Sequence, residues 1–299
     1  MATIKRSKTD WLNWITGEKS SKTVESYAWQ IANLAREFPG RDISRLKERD
    51  LLAFVAARRK RAGMKDEQLS DSAIKATVNA LRSFYKFIGS TASDYLPMPT
   101  PKTRLQRTLT FEQSLAVLSA NDSSTPIGKR NVALLSVGLD TGLRASEICR
   151  LEMTKVDLHQ RVLYVVVKGG NEEPGLFSLE TANYLSAWFA ERERIAQCNR
   201  AFVSFELHCT GQPLTTAGLR CLFRRIGEKA GLDAFSPHDL RRTFATLQTR
   251  LGAPSRQSQV WGRWHDLKLF ERYTQALIVP DIAEYDPYSV VSGVLRRGS

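Results

Sequence analysis

Three prolines in five positions, Pro97, Pro99 and Pro101, are what most constrains the fold of this chain. Proline lacks an amide donor, clashes with the preceding helical turn and pushes its predecessor toward extended backbone, so no helix runs through residues 97–101. On both sides of this break the apolar residues recur at helical spacing. The chain is therefore read as a helical domain over residues 1–90, a linker over 91–107, a second domain over 108–279 and a tail over 280–299. At 299 residues, each of the two main parts is long enough to bury a core of its own.

In the first part, SKTVESYAWQIANLAREF opens on Ser/Thr capping candidates, and Tyr27, Ile31, Leu34 and Phe38 follow on one face. KERDLLAFVAARRKRAG is a second amphipathic segment that ends in a basic run and Gly63. SDSAIKATVNALRSFYKFIG is a third, with Ile74, Val78, Leu81, Phe84 and Phe87 on one side and Gly89 as its stop. In the second part, LTFEQSLAVLSAN starts a helix at Thr110. RNVALLSVGLDTGL reads as a buried helix ending near Gly142, and RASEICRL continues as another. HQRVLYVVVKGG is the clearest strand, rich in Val and closed by Gly169 and Gly170, with EPGLFSLE as its partner. From ETANYLSAWFAERERI onward the pattern is mainly helical. The expected class is mainly α with a small β-sheet.

Net charge is +13, and 18 basic against 11 acidic side chains fall in the first hundred residues, which leaves +6 for the rest. An excess shared by both halves fits a polyanion gripped by both. Seventeen extended linker residues span roughly 55 Å, against a major groove about 12 Å wide, so two domains joined this way can close on a duplex from opposite sides. The runs Arg58, Arg59, Lys60, Arg61 and Arg224, Arg225 are candidate phosphate contacts, although such runs also serve as solvated faces. Cys149, Cys198, Cys209 and Cys221 form no CxxC pair and match no zinc spacing, which fits reduced thiols in a cytoplasmic protein and no metal. MATIKRSKTDW lacks the apolar run of a signal peptide, and no stretch approaches the ~20 apolar residues of a membrane span.

Six residues of the second part suit one task. Arg144 lies in TGLRASEICRL, Lys168 in the hairpin, His238 and Arg241 in HDLRR, then come Trp264 and Tyr273 in LFERYTQ. Attack on a phosphodiester passes through a pentacoordinate phosphorus whose oxygens gain negative charge. Arginine's planar fork holds two such oxygens and stays charged. His238 and Arg241 stand at i and i+3, with His238 in the first turn of a helix, where the neutral imidazole is favoured. A tyrosine nucleophile must shed a proton of pKa about 10. Residue by residue, each of these also reads as an ordinary core or surface side chain. Among eight tyrosines, chemistry alone does not select Tyr273.

From about residue 108 to 276 the chain resembles the catalytic domain of the tyrosine site-specific recombinases, the phage integrase family, in its simple two-domain, Cre- and Xer-like form. TGLRASEICRL is similar to the family's first box and HDLRRTFAT to its second. Trp264 stands nine residues before Tyr273, where the family has a His or Trp in an LGH-like segment; His265 is one place off that register. The helical first part is similar to the family's core-binding domain, and the second to its α+β catalytic domain.

The resemblance implies that Tyr273 attacks the scissile phosphate and forms a 3′-phosphotyrosyl link. Arg144 and Arg241 stabilise the transition state, His238 assists proton transfer at the tyrosine, Lys168 protonates the 5′-oxygen, and Trp264 packs on and hydrogen-bonds the phosphate region. Glu147 supports the arginines without transferring a proton. The turn after Lys168 departs from the family in carrying Glu172 and Glu173. No cofactor is implied, neither metal nor ATP. The implied partners are double-stranded DNA with a specific core site, a homotetramer on paired sites and room for an accessory protein, in the nucleoid of a phage, plasmid or prokaryotic host. Nothing ahead of the helical domain reads as an arm-binding domain. The tail's Val290, Val291, Val294 and Leu295 form an apolar cluster that can dock on a neighbouring protomer. The alternatives are type IB topoisomerase-like relaxation, a catalytically silent DNA-binding regulator and a metal-dependent nuclease, the last without a convincing carboxylate cluster.

Overall fold

The structure, a computed structural model, describes residues 8–60, 69–100, 107–167, 170–233 and 235–274; of Leu269, Arg272, Tyr273 and Thr274 only the backbone is described. Arg61, Lys168 and the tail over 280–299 lie outside the described residues. The chain divides into two compact units, Met1–Arg104 and Leu105–Ser299.

The first unit holds four helices, α1 (Lys8–Glu18), α2 (Ser21–Glu37), α3 (Glu48–Lys60) and α4 (Asp71–Phe87). The last three are the segments expected above. Ser70 caps α4 by accepting from the Ala73 amide. The first lies within the part read as helical but is not marked out as a segment of its own, because α1 buries only Trp11 and Ile15 and shows little periodicity. Trp11 donates its indole N–H to the Ser83 hydroxyl at 3.2 Å and meets Phe84 edge-on at 5.4 Å. Ile31, Leu34, Leu51, Ile74, Val78 and Leu81 close the core around it, each contributing about 1.5–3 kcal/mol by its burial. Leu96 seats in the same core, and the Arg82 guanidinium donates to the carbonyls of Asp94 and Leu96.

The second unit opens with α5 (Phe111–Ser119), whose N-terminus carries a Thr110–Gln113 capping box. Next comes α6 (Pro126–Thr141), capped by Thr125, with Pro126 in its first turn and Gly142 in the left-handed conformation at its end. Eleven of its sixteen residues are buried, which makes it the central helix of the unit. Then follow α7 (Ala145–Arg150), strands β1 (Val156–Asp157), β2 (Val162–Val166) and β3 (Glu172–Leu176), and α8 (Leu179–Arg192). The sheet is antiparallel in the order β1-β2-β3, with Val166 opposite Glu172. The strand expected over EPGLFSLE ends earlier, at Leu176. Ser178 instead caps α8, and Asp140 at the end of α6 accepts from the Ser178 amide and hydroxyl and from the Thr181 hydroxyl at 2.6–2.8 Å. Glu172 and Glu173, expected in the turn, are the first residues of β3, and Glu172 pairs with Lys155 at 2.7 Å.

The remaining helices are α9 (Thr216–Lys229), α10 (Pro237–Arg250), α11 (Ser255–Trp261) and α12 (Leu267–Thr274). Helix α6 packs against α8 and α10, and α10 carries α11 and α12 on its other flank. Gly138 lets α10 approach, since a Cβ there would lie 2.6 Å from the Leu240 side chain. Among the described residues no helix is long and apolar enough to cross a membrane.

Candidate active site

Gly142 ends α6 at φ 60°, and a Cβ on it would sit 2.7 Å from the Phe244 ring, so the turn before Arg144 needs glycine for both reasons. That turn places Arg144 at the start of α7. Glu147 closes it, accepting from the Arg144 backbone amide at 2.8 Å and from its guanidinium at 2.6 Å. Arg144 is 42% exposed, whereas Glu147 is 6% exposed. Burial alone would raise the Glu147 pKa. The hydrogen bonds from Arg144, then the charges of Arg144 and Arg263, outweigh it and hold the carboxyl below the usual range, so it is an anion that accepts and does not shuttle protons.

The start of α10 is built by Ser236 and Asp239, a capping box in which Asp239 accepts from the Ser236 amide and hydroxyl at 2.8 Å. Asp239 also pairs with Arg242 at 3.2 Å. His238 thereby falls in the first turn, as expected, and Arg241 one turn later. The imidazole is pushed below its ordinary pKa by partial loss of hydration first, then by the cations Arg242, Arg241 and Arg144, with Asp239 opposing. One side of His238 remains open to solvent, so the loss of hydration is partial. The ring is therefore neutral at pH 7 and able to accept a proton.

Arg241 is 2% exposed. It donates to the Gly142 carbonyl, in the turn that carries Arg144, and to the Gly262 carbonyl at 2.8 Å. Its guanidinium lies over the Trp264 ring, 4.2 Å from the centroid. Trp264 in turn stacks on Phe244 of α10 and meets Phe270 of α12 edge-on at 5.4 Å. Its backbone is clamped by the Gln259 side chain at 2.9 Å, and Gly262 admits the indole, since a Cβ there would overlap the ring. Arg144, Glu147, His238, Arg241 and Trp264 thus form one cluster. Tyr273 lies in the last turn of α12, the helix that Phe270 anchors to Trp264.

The described residues of the basic runs make contacts within their own units. Arg58 stacks on Trp29 at 4.9 Å, Arg59 pairs with Asp71 at 2.9 Å, and Lys60 is exposed, all in the first unit. Arg224 is exposed beside Glu228. Arg225 pairs with Glu206 in a cavity that Arg130 and Lys229 also line. Among the described residues no group of His, Cys, Asp and Glu is arranged to hold a metal ion.

One site residue escaped the sequence. Arg263 is buried with φ 56°, a backbone conformation costing a non-glycine residue about 1–2 kcal/mol. It donates to the carbonyls of Thr141 at 2.9 Å, Trp261 at 3.0 Å and Pro174 at 3.3 Å, and stands 3.8 Å from the Glu147 carboxylate. Gly175 makes room for it, since a Cβ there would lie 3.2 Å from its guanidinium. A lone Arg beside Trp264 carries no pattern that announces this.

A cluster of two arginines, a neutral histidine and a buried carboxylate, on a mainly helical body with a three-stranded sheet, suits anionic phosphoryl chemistry. The chain belongs to the phage integrase family: the family's model matches residues 107–278, and that of the phage integrase N-terminal SAM-like domain matches residues 9–90. It is a tyrosine recombinase by that membership, and site-specific recombination is the activity of the class.

Among similar proteins, tyrosine recombinase XerC of Lactobacillus delbrueckii subsp. bulgaricus is 26% identical over 290 residues, covering 92% of this chain and 95% of its own. Tyrosine recombinase XerD of Listeria innocua is 27% identical over 281 residues, covering 89% and 92%. Among solved structures, XerH site-specific recombinase bound to a palindromic difH substrate, in a post-cleavage complex, matches 97% of this chain and 91% of its own. Its TM-score is 0.70 and its identity 18%, a likeness of fold. A lambda integrase dimer bound to a COC′ core site has a TM-score of 0.68 at 16% identity, over 90% of this chain and 95% of its own.

Proposed function

We propose that this protein recombines DNA at a specific duplex core site through Tyr273. The tyrosine oxygen attacks the scissile phosphorus, the bond from phosphorus to the 5′-oxygen breaks, and a 3′-phosphotyrosyl link forms. His238 takes the tyrosine proton, and Lys168 gives one to the departing 5′-oxygen, which leaves as a hydroxyl. Arg144 and Arg241 hold the non-bridging oxygens as their charge grows, with Trp264 packed behind them. Strand exchange reverses the step with a 5′-hydroxyl from the second duplex. The covalent link retains the energy of the broken bond, so religation needs no nucleotide.

The observation that carries this reading is the convergence of Arg144, His238 and Arg241. They come from two segments almost a hundred residues apart that Arg241 joins by donating to the Gly142 carbonyl, and Tyr273 lies in the last turn of α12. The two-unit chain is read as a core-binding domain over 1–90, a linker over 91–107, the catalytic domain over 108–279 and a docking tail over 280–299. A homotetramer would act on paired sites, and the DNA-bound recombinases of like fold support a duplex partner.

Covalent capture tests the reading. Protein and a Tyr273→Phe variant are incubated with nicked fragments of the source replicon in EDTA, denatured in detergent, and the attached DNA and peptide identified. An adduct on Tyr273 at one discrete locus is expected, and none with Tyr273→Phe. Adducts scattered over many loci would mark a topoisomerase, and specific binding without an adduct a silent regulator. Truncation after Pro280 should weaken assembly on paired sites, read by sedimentation, while leaving binding to a single site intact; unchanged assembly rules out a docking tail.

A further inference from the structure

Glu147 is one buried carboxylate between two guanidiniums, and the two differ in position. Arg144, at 2.6 Å, is 42% exposed and open to solvent; Arg263, at 3.8 Å, is 2% exposed and enclosed. The trio carries net charge +1. With Arg263 neutral, Arg144 and Glu147 would cancel, and a phosphate would have to draw Arg144 away from a carboxylate with no other cation beside it. A buried carboxylate stripped of one counter-cation holds the other more tightly.

The rest of Arg263 explains why it stays in place. Its two terminal nitrogens reach carbonyls on three segments, Thr141 at the end of α6, Pro174 on β3 and Trp261 at the end of α11. Its backbone accepts a left-handed φ to do so, and Gly175 leaves the space. An arginine kept there against its own backbone preference, next to a carboxylate that already has a partner, is not explained by packing.

We propose that Arg263 is a positioning residue. It balances the charge of Glu147, so that Arg144 is released to a phosphate oxygen, and it braces β3 against the same spot. This rests on reading Arg144 as a phosphate ligand.

The test uses the full-length protein and the site found by covalent capture. Single-turnover cleavage is compared for the wild type, Arg263→Gln, Arg263→Lys and the double variant Arg263→Gln with Glu147→Gln. Glutamine at 147 still accepts from the Arg144 amide, so the start of α7 is kept. Each is assayed on a phosphodiester and on a methylphosphonate, which has one less charge to neutralise. Arg263→Gln should lose at least about tenfold on the phosphodiester and under about threefold on the methylphosphonate, the pattern of a lost cation. Arg263→Lys and the double variant should recover most of the rate. Equal loss on both linkages, or no recovery in the double variant, would mean a merely structural role and overturn the proposal. If glutamine unfolds the segment, Arg263→Asn, which tolerates left-handed backbone, takes its place.

A second readout needs no catalysis. Modification of Arg144 by p-hydroxyphenylglyoxal, followed by peptide mass spectrometry, should slow in Arg263→Gln and recover when Glu147→Gln is added. Unchanged reactivity overturns the proposal even if the wild type forms no adduct, the result that would instead sink the catalytic reading.

Discussion

Replacing Trp264 with alanine tests how the active site is held together. Trp264 is 6% exposed and is the hub of a small cluster with Phe244, Ala245 and Phe270, flanked by Trp261 and Leu267. It touches three groups at once: the Arg241 guanidinium at 4.2 Å, Phe244 at 5.9 Å and Phe270 at 5.4 Å between ring centres. Truncating a buried tryptophan costs about 3–5 kcal/mol in lost transfer energy and cavity. The lost cation–π contact, about 2 kcal/mol when desolvated, lies within the upper end of that range. For a unit of this size each kcal/mol shifts Tm by roughly 2–4 °C, so Trp264→Ala should lower the melting of the second unit by about 6–20 °C. Because Phe270 is the buried anchor of α12, amide exchange over Leu267–Thr274 should speed up more than exchange in α6. Calorimetry and hydrogen-exchange mass spectrometry read both effects. Trp264→Phe keeps a ring over Arg241 and should lose less than about 1.5 kcal/mol. Its cleavage should still fall about 10²-fold or more if the indole N–H contacts the phosphate. A Trp264→Ala protein with unchanged Tm and unchanged α12 exchange would refute the view that this ring ties the tyrosine's helix to Arg241.

Two further outcomes follow from the geometry. Gly142→Ala places a side chain at φ 60° and 2.7 Å from the Phe244 ring, so urea unfolding should show a loss of at least about 2 kcal/mol; a loss under 0.5 kcal/mol would count against it. His238 is held below its ordinary value of 6.5, so its NMR titration should give a midpoint under 6.5. The sign follows: between the lowered folded pKa and 6.5 the unfolded chain binds more protons, so His238 makes stability rise with pH across that window and adds no slope above it. Cleavage should decline on the acid side of 6.5 for the same reason, and a midpoint at or above 6.5 would contradict the assignment.

The elements that could be read from the chain are those whose signals are local. Helices α2 and α4 follow from apolar spacing, α6 from the apolar run that ends at Gly142, although its start at Pro126 lies a turn earlier than that run, and β2 from its run of valines. Residue by residue, Arg144, His238 and Arg241 read as ordinary side chains; it is the resemblance of TGLRASEICRL and HDLRRTFAT to two family boxes that singles them out, and their chemical roles stay with the proposed function. Helix α1 was not distinct, because two buried residues in eleven make no periodicity until Ser83 and Phe84 close over Trp11.

What only the tertiary structure decided are contacts between segments far apart in the chain. Nothing near Leu176 says that Asp140 captures Ser178 and turns a strand into a helix cap. The acidic pair Glu172 and Glu173 looked like a turn until strand register put Glu172 opposite Val166 and beside Lys155. Arg263 is the sharpest case. Its residue type argues for an exposed position, its conformation for glycine, and neither points inward. It is buried because Thr141, Pro174, Trp261 and Glu147 together supply the acceptors and the charge that an arginine loses with its water. Local patterns set where helices begin and which side chains carry reactive groups. The surroundings that make an arginine or a carboxylate tolerable inside a protein are assembled only when distant segments meet.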